Sequence, residues 1–155
     1  LDMVVRPLMA TEMICLMPAH HPLAGTPVLT PEALKDEVVI TFGQQVRQEF
    51  DVRMSFDRNT NESSFLTTNL SVVSADLVRQ GLGIAITLPF VLSPRGNDDL
   101  AVAAFKPEIR RSLVAVYLKK PGLSPLAKSF LTQVREEMRG FAKHLNELGI
   151  SAKPN

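Results

Sequence analysis

The chain is expected to be an α/β protein, because short apolar runs alternate along it with amphipathic stretches of helical period. Three segments carry that expectation. Val38-Val39-Ile40-Thr41-Phe42 is a β-branched and aromatic run that ends at Gly43. Val72, Val73, Leu77 and Val78 follow helical spacing as far as Gly81, and Ile84-Ala85-Ile86-Thr87-Leu88 follows at once as a strand. Leu126, Phe130, Val134, Met138, Phe141 and Leu145 recur at three and four residues and mark one long helix.

In chain order, the apolar run 13–17 before Pro18 suits a strand buried on both faces. A turn-rich stretch, His20-His21-Pro22, follows it. Thr30 with Pro31 and Glu32 then makes an N-terminal helix signal, for a brief helix over 31–35. After the strand 38–42 the pattern predicts a helix over 46–56, a polar turn over 57–61 and a strand over 64–68. Residues 93–99 read as a loop, and 100–105 and 112–118 as strands. Ser124 and Pro125 open the last helix and Gly149 closes it, with residues 152–155 as a loose end. Burial of its six apolar side chains is expected to contribute up to ~1.5–3 kcal/mol each.

With 155 residues, 45% apolar and 21% charged, the chain has the composition of one globular domain or two small lobes. A formal charge of +1, with Arg110-Arg111 as its tightest basic cluster, leaves no electrostatic footprint for nucleic acid. One cysteine, Cys15, excludes an intrachain disulfide, and its apolar neighbours mark it as a small buried hydrophobe. No apolar run reaches the length of a membrane span, and the first residues lack the layout of a signal peptide. The expectation is a cytoplasmic chain that begins in mid-protein, since position 1 is not Met.

Catalytic motifs are missing. His20 and His21 are adjacent on a turn and find no third ligand at a supportive spacing, so no metal or cofactor is expected. Gly81-x-Gly83 follows a helix and precedes a strand, the reverse of a phosphate-binding glycine loop, and reads as a helix cap with a tight strand entry. No Gly-x-Ser-x-Gly occurs, and Glu49, Asp51 and Asp57 form no paired-carboxylate arrangement. What the pattern does offer is a ligand cleft made by strand ends and a helix start. Thr41, Phe42 and Gly43 stand after one strand, and Asn69, Leu70 and Ser71 at one helix start. A plainer alternative is that Thr41 closes a strand and Asn69 or Ser71 is only an N-cap.

Several pieces together resemble the effector-binding half of LysR-type transcription regulators. Pro18-Ala19-His20-His21-Pro22-Leu23-Ala24 is similar to a family element, as is the helix start Leu29-Thr30-Pro31-Glu32-Ala33-Leu34. Val38 to Thr41 is similar to the strand that follows it in the family. Asp76-Leu77-Val78-Arg79-Gln80-Gly81-Leu82-Gly83-Ile84-Ala85-Ile86 with Leu88-Pro89, and Leu123-Ser124-Pro125-Leu126-Ala127-Lys128-Ser129-Phe130-Leu131, complete the series in the family's order.

The resemblance implies a fold like the type 2 periplasmic binding proteins, with the second lobe complete and the first only in part. Residues 1–17 would end the first lobe and include the first crossover strand. Residues 18–111 would form the second lobe. Residues 112–155 would be the second crossover strand and the helix returning to the first lobe. The implied effector contacts are Thr41, Phe42 and Gly43, then Asn69, Leu70 and Ser71, then Met17 at the end of the first crossing. Met17 departs from the polar residue some relatives use there, and can contribute shape only. The implied partners are a small polar or anionic metabolite, a second copy in a homo-oligomer (dimer or tetramer), and DNA through a winged helix-turn-helix that this sequence lacks. No membrane and no cofactor are implied. A transporter's solute-binding protein shares the two-lobe plan, and an enzyme on the same scaffold would need catalytic groups that this sequence does not offer.

Overall fold

The structure, a computed structural model, describes residues 2–42, 65–92 and 97–154. The helix expected over 46–56, the turn over 57–61 and Gly43 lie outside the described residues. Two compact units are formed. One combines Leu1–Glu12 with Arg110–Asn155, and the other is Met13–Ile109. The chain passes between them at Glu12–Met13 and Ile109–Arg110, so the strand expected over 13–17 lies wholly within the central unit.

In the terminal unit, β1 (Met3–Glu12) runs between β8 (Arg110–Leu118) and β9 (Ala152–Pro154), antiparallel to both. Sequence reasoning missed β1 because Arg6 and Pro7 interrupt its apolar run. Proline is tolerated there because the ladder shifts register between Pro7 and Met9, so the missing N–H coincides with an irregularity. The long helix α2 (Pro125–Glu147) starts as expected, with the Ser124 side chain accepting from Ala127 N–H at 3.2 Å. At its other end Gly149 takes φ +77°. Gly149 N–H donates to Asn146 O (3.0 Å) and Ile150 N–H to Leu145 O (2.9 Å), the two bonds of a Schellman cap.

Two expectations about this unit need correction. The tail is not loose: the Asn146 amide clasps the backbone of Ala152, donating to its O (3.0 Å) and accepting from its N–H (3.1 Å), and Ala152 is buried. The helix stripe is also not buried throughout. Leu145 is fully buried, Val134, Met138 and Phe141 are half-buried, and Phe130 and Leu126 are 67% and 81% exposed. A 23-residue helix is about 35 Å long, more than the described three-stranded sheet can cover. The full burial energy therefore applies at the Leu145 end and not at Leu126.

The central unit is a six-stranded sheet in the order β3-β7-β2-β6-β4-β5. Its strands are β2 (Ile14–Pro18), β3 (Val28–Leu29), β4 (Val39–Phe42), β5 (Phe65–Thr68), β6 (Ile84–Thr87) and β7 (Leu100–Phe105). The strand β2 is antiparallel to both its neighbours, while β3 parallels β7 and β4 parallels β5 and β6. So β2 alone runs against the other five. Every residue of β2 is buried, as its unbroken apolar sequence requires. One face of the sheet packs Met13, Cys15, Met17, Leu29, Val39, Ile84, Ile86, Ala103 and Phe105 into the core. The other is covered by α1 (Ser71–Arg79), which buries Ser74, Ala75 and Val78. The helix expected over 31–35 is a 3₁₀ turn, Pro31–Leu34, with no side-chain cap from Thr30.

Gly81 and Gly83 play different parts. Gly81, at φ +72°, ends α1 with Gly81 N–H donating to Val78 O (2.8 Å) and Leu82 N–H to Leu77 O (3.1 Å). Gly83, at φ +149°, lets the backbone pass against Val38, and Ile84 N–H then donates to Val38 O at 2.9 Å. That contact sets the register of β6 on β4, and with it the edge where their last residues meet.

Candidate functional site

The carboxyl ends of β4, β5 and β6 lie side by side because the three strands are parallel and in register. Thr41 pairs with Thr67 and Ile86, and Phe42 with Thr68. Directly beyond Thr68 come Asn69 and Leu70, and α1 begins at Ser71. The helix start therefore stands over the same edge, with its first N–H groups pointing out of the helix. Leu70, not Asn69 or Ser71, is the N-cap, and no side chain caps the helix. Thr68 turns the chain into it: its hydroxyl accepts from Leu70 N–H at 3.2 Å. Helix starts of this kind at the carboxyl edge of a parallel sheet suit an anionic or polar ligand group.

Strand alternation divides the hydroxyls between two faces. Thr41 shares the face of Val39 and Ile86, is fully buried, and its hydroxyl lies 3.3 Å from that of Thr67 and 3.5 Å from Leu66 O. Thr87 lies on the face that α1 covers, where the fully buried Ser74 hydroxyl sits 3.2 Å from its own and 2.6 Å from Ser71 O. Sequence reasoning missed this Ser74–Thr87 pair. The signal for it was present: a serine on the buried stripe of α1 beside Ala75 and Val78 needs a partner inside, and Thr87 ends the strand beneath.

Of the residues singled out from sequence, Thr41, Phe42, Asn69, Leu70 and Ser71 come together at this edge, and Gly43 lies outside the described residues. Met17 does not join them. Because β2 runs against β6, with Ile14 opposite Thr87 and Leu16 opposite Ala85, the end of β2 lies at the far edge of the sheet. Met17 is fully buried in the core there, so its role is packing.

Three other chemistry-bearing groups of the central unit, Cys15, His21 and Arg79, are structural. Cys15 is fully buried, and desolvation pushes its thiol well above the ordinary range. His21 accepts from Leu23 N–H through Nδ1 (3.2 Å) and places Nε2 3.5 Å from Glu37. Arg79 joins Asp99 at 2.6 Å and Asp76 at 3.1 Å, which ties α1 to the turn before β7 and holds the Asp99 carboxyl below its usual range. Among the described residues no cluster of three metal-ligating side chains occurs, and no helix is long and apolar enough to cross a membrane.

A family model for the LysR substrate binding domain matches residues 1–139. The chain belongs to the LysR substrate-binding domain family. Its fold is that of the type 2 periplasmic binding proteins, in agreement with the resemblance noted above. Among solved structures, a putative LysR family transcriptional regulator from Pseudomonas aeruginosa matches with a TM-score of 0.67 at 21% identity, over 88% of this chain and 49% of that one. The regulatory domain of MetR from N. meningitidis matches with a TM-score of 0.61 at 23% identity, over 91% of this chain and 65% of that one. The effector binding domain of QuiR in complex with shikimate matches at 0.62 and 18% identity, over 86% and 64%. The LysR domain described here thus spans about half the length of the Pseudomonas regulator.

Proposed function

We propose that this LysR domain is the effector-sensing part of a transcription regulator and binds a small polar or anionic metabolite without chemical conversion. The observation that carries the reading is the meeting of three parallel strand ends, Thr41-Phe42, Thr67-Thr68 and Ile86-Thr87, with the side-chain-uncapped start of α1 at Leu70 and Ser71. Fixed N–H dipoles at such a place favour a carboxylate or phosphate. Support for that ligand class comes from relatives of this fold: QuiR binds shikimate, and the CcmR regulatory domain of Synechocystis is in complex with 2-PG. Membership of the LysR family favours a sensor over the solute-binding protein of a transporter.

In this reading the central unit, Met13–Ile109, is one lobe, and residues 1–12 and 110–155 belong to a second lobe and the strands leading to it. The metabolite is held by Thr41, Phe42, Gly43, Asn69, Leu70 and Ser71. Its affinity difference between two conformational states of the regulator is what alters DNA binding by a winged helix-turn-helix in a cytoplasmic homo-oligomer. Titration calorimetry with a panel of small carboxylates and phosphorylated acids tests the site. Ser71→Pro and Asn69→Ala are expected to weaken the binding member at least tenfold. Unchanged affinity in both variants refutes the site.

A further inference from the structure

The terminal unit holds a second polar site, at the end of its sheet away from the strip of exposed apolar residues Met3, Val5, Val116 and Leu118. Glu12 ends β1 opposite Arg110 of β8, and Lys153 of β9 stands opposite Ala10. The Glu12 side chain is only 4% exposed. Its Oε1 accepts from Ser151 N–H at 2.6 Å, whereas its Oε2 is buried with no hydrogen-bond partner among the described residues. Leaving one carboxylate oxygen buried and unmatched is costly, so such an atom calls for a donor that occupies the space beside it. That space exists. Glu12, Arg110, Lys153, Thr11, Ser151 and Ala10 line a pocket of about 40 Å³.

Since one water needs ~10–15 Å³, the pocket admits a group of about three heavy atoms. Its walls bring one carboxylate and two cationic side chains together. A bare anion would be attracted to the positive charge of Arg110 and Lys153 but give nothing to Oε2, and a bare amine would do the reverse. We propose that this pocket binds the head of a small amino- or hydroxy-carboxylate. The ligand's ammonium or hydroxyl and the carbon that bears it enter the pocket, with the donor on Glu12 Oε2, and its carboxylate stays at the pocket mouth between the Arg110 guanidinium and the Lys153 ammonium. The site is built from the terminal unit alone and does not depend on the strand-end site of the central unit.

The test is a titration of the ¹⁵N-labelled 155-residue chain with glycolate and glycine, against acetate (no donor) and methylammonium (no anion), read at the Ser151 and Lys153 amides. Saturable shifts are expected for glycolate or glycine, with acetate and methylammonium at least tenfold weaker. Glu12→Gln keeps the oxygen that Ser151 N–H uses but removes the second acceptor, and is expected to weaken binding at least tenfold. Lys153→Ala, at an exposed position, is expected to weaken it comparably and covers the case in which Glu12→Gln fails to fold. Thr41→Val is expected to leave it unchanged, which separates this site from the other. No saturable shift, meaning a pocket that holds only water, overturns the proposal. So does equal binding of acetate and glycolate, or unchanged affinity in Lys153→Ala.

Discussion

Replacing Gly83 with alanine tests how the sheet edge of the central unit is held in place. A Cβ at Gly83 would lie 2.1 Å from Val38 O, 2.9 Å from Val38 C and 3.0 Å from Val38 Cβ. Ordinary carbon–oxygen approach is about 3.3 Å or more, so the two backbones must separate by roughly 1 Å, and neither is a flexible side-chain end. The φ of +149° adds strain for any residue with a Cβ, about 1–3 kcal/mol. Moving the strands apart also weakens the 2.9 Å bond from Ile84 N–H to Val38 O, worth about 0.5–1.5 kcal/mol. Together these predict a loss of about 2–4 kcal/mol, a large part of the ~5–15 kcal/mol that holds a typical domain folded.

Urea unfolding of Gly83→Ala beside the parent measures the loss, and Gly81→Ala is the control. Gly81 has φ +72° with open space around its missing Cβ, so alanine there meets only the left-handed penalty of about 1–2 kcal/mol. A loss at Gly83 below about 1 kcal/mol, or one equal to that at Gly81, refutes the role given to the Val38 contact.

Other outcomes follow from the same geometry. Ser74→Ala leaves the Thr87 hydroxyl buried without its partner and is expected to cost about 1–3 kcal/mol. Thr87→Val added to it should cost less than the two single losses summed, and additive thermal-unfolding values would count against the pair. Asp99 is held below its usual range by Arg79, so its carboxylate stabilises the fold above the unfolded carboxylate range. That contribution is lost as pH falls through the lower, folded value, and the stability gap between the parent and Asp99→Asn should close in acid and narrow in high salt. Cys15 should resist a thiol reagent at pH 8 until urea unfolds the chain, because burial suppresses its thiolate; fast labelling of the native protein would contradict its placement.

Most of the local elements were legible in the sequence because their signals are short-range. Ser124, Pro125 and Gly149 bound α2 as expected, since capping is decided within four residues. Gly81 ends α1 for the same reason. What escaped depends on partners distant in the chain. The strand β1 contains Pro7 and an arginine, and becomes a strand only through its ladder with β8, far along the chain. The tail becomes β9 only because Asn146 and Glu12 hold its backbone. The stripe of α2 was read as uniformly buried because period shows which face is apolar but not how far a covering sheet extends.

Met17 shows most directly why a site is harder to read than a fold. Sequence reasoning identified the run 13–17 as a buried strand, and β2 is one. It could not supply the strand's direction, because an unbroken apolar run looks the same read either way. In the sheet β2 alone runs against its five companions, so the residues at its start, not its end, lie beside Thr87 and the carboxyl edge. A candidate built from parallel strands is robust to this: Phe42, Thr68 and Thr87 each end a strand running the same way, and their ends must meet wherever the sheet forms. A candidate that joins parallel and antiparallel strands is not. For the central unit the residue to vary beside the strand-end site is therefore Ile14, opposite Thr87. Substituting Met17 should alter core packing and leave ligand affinity unchanged.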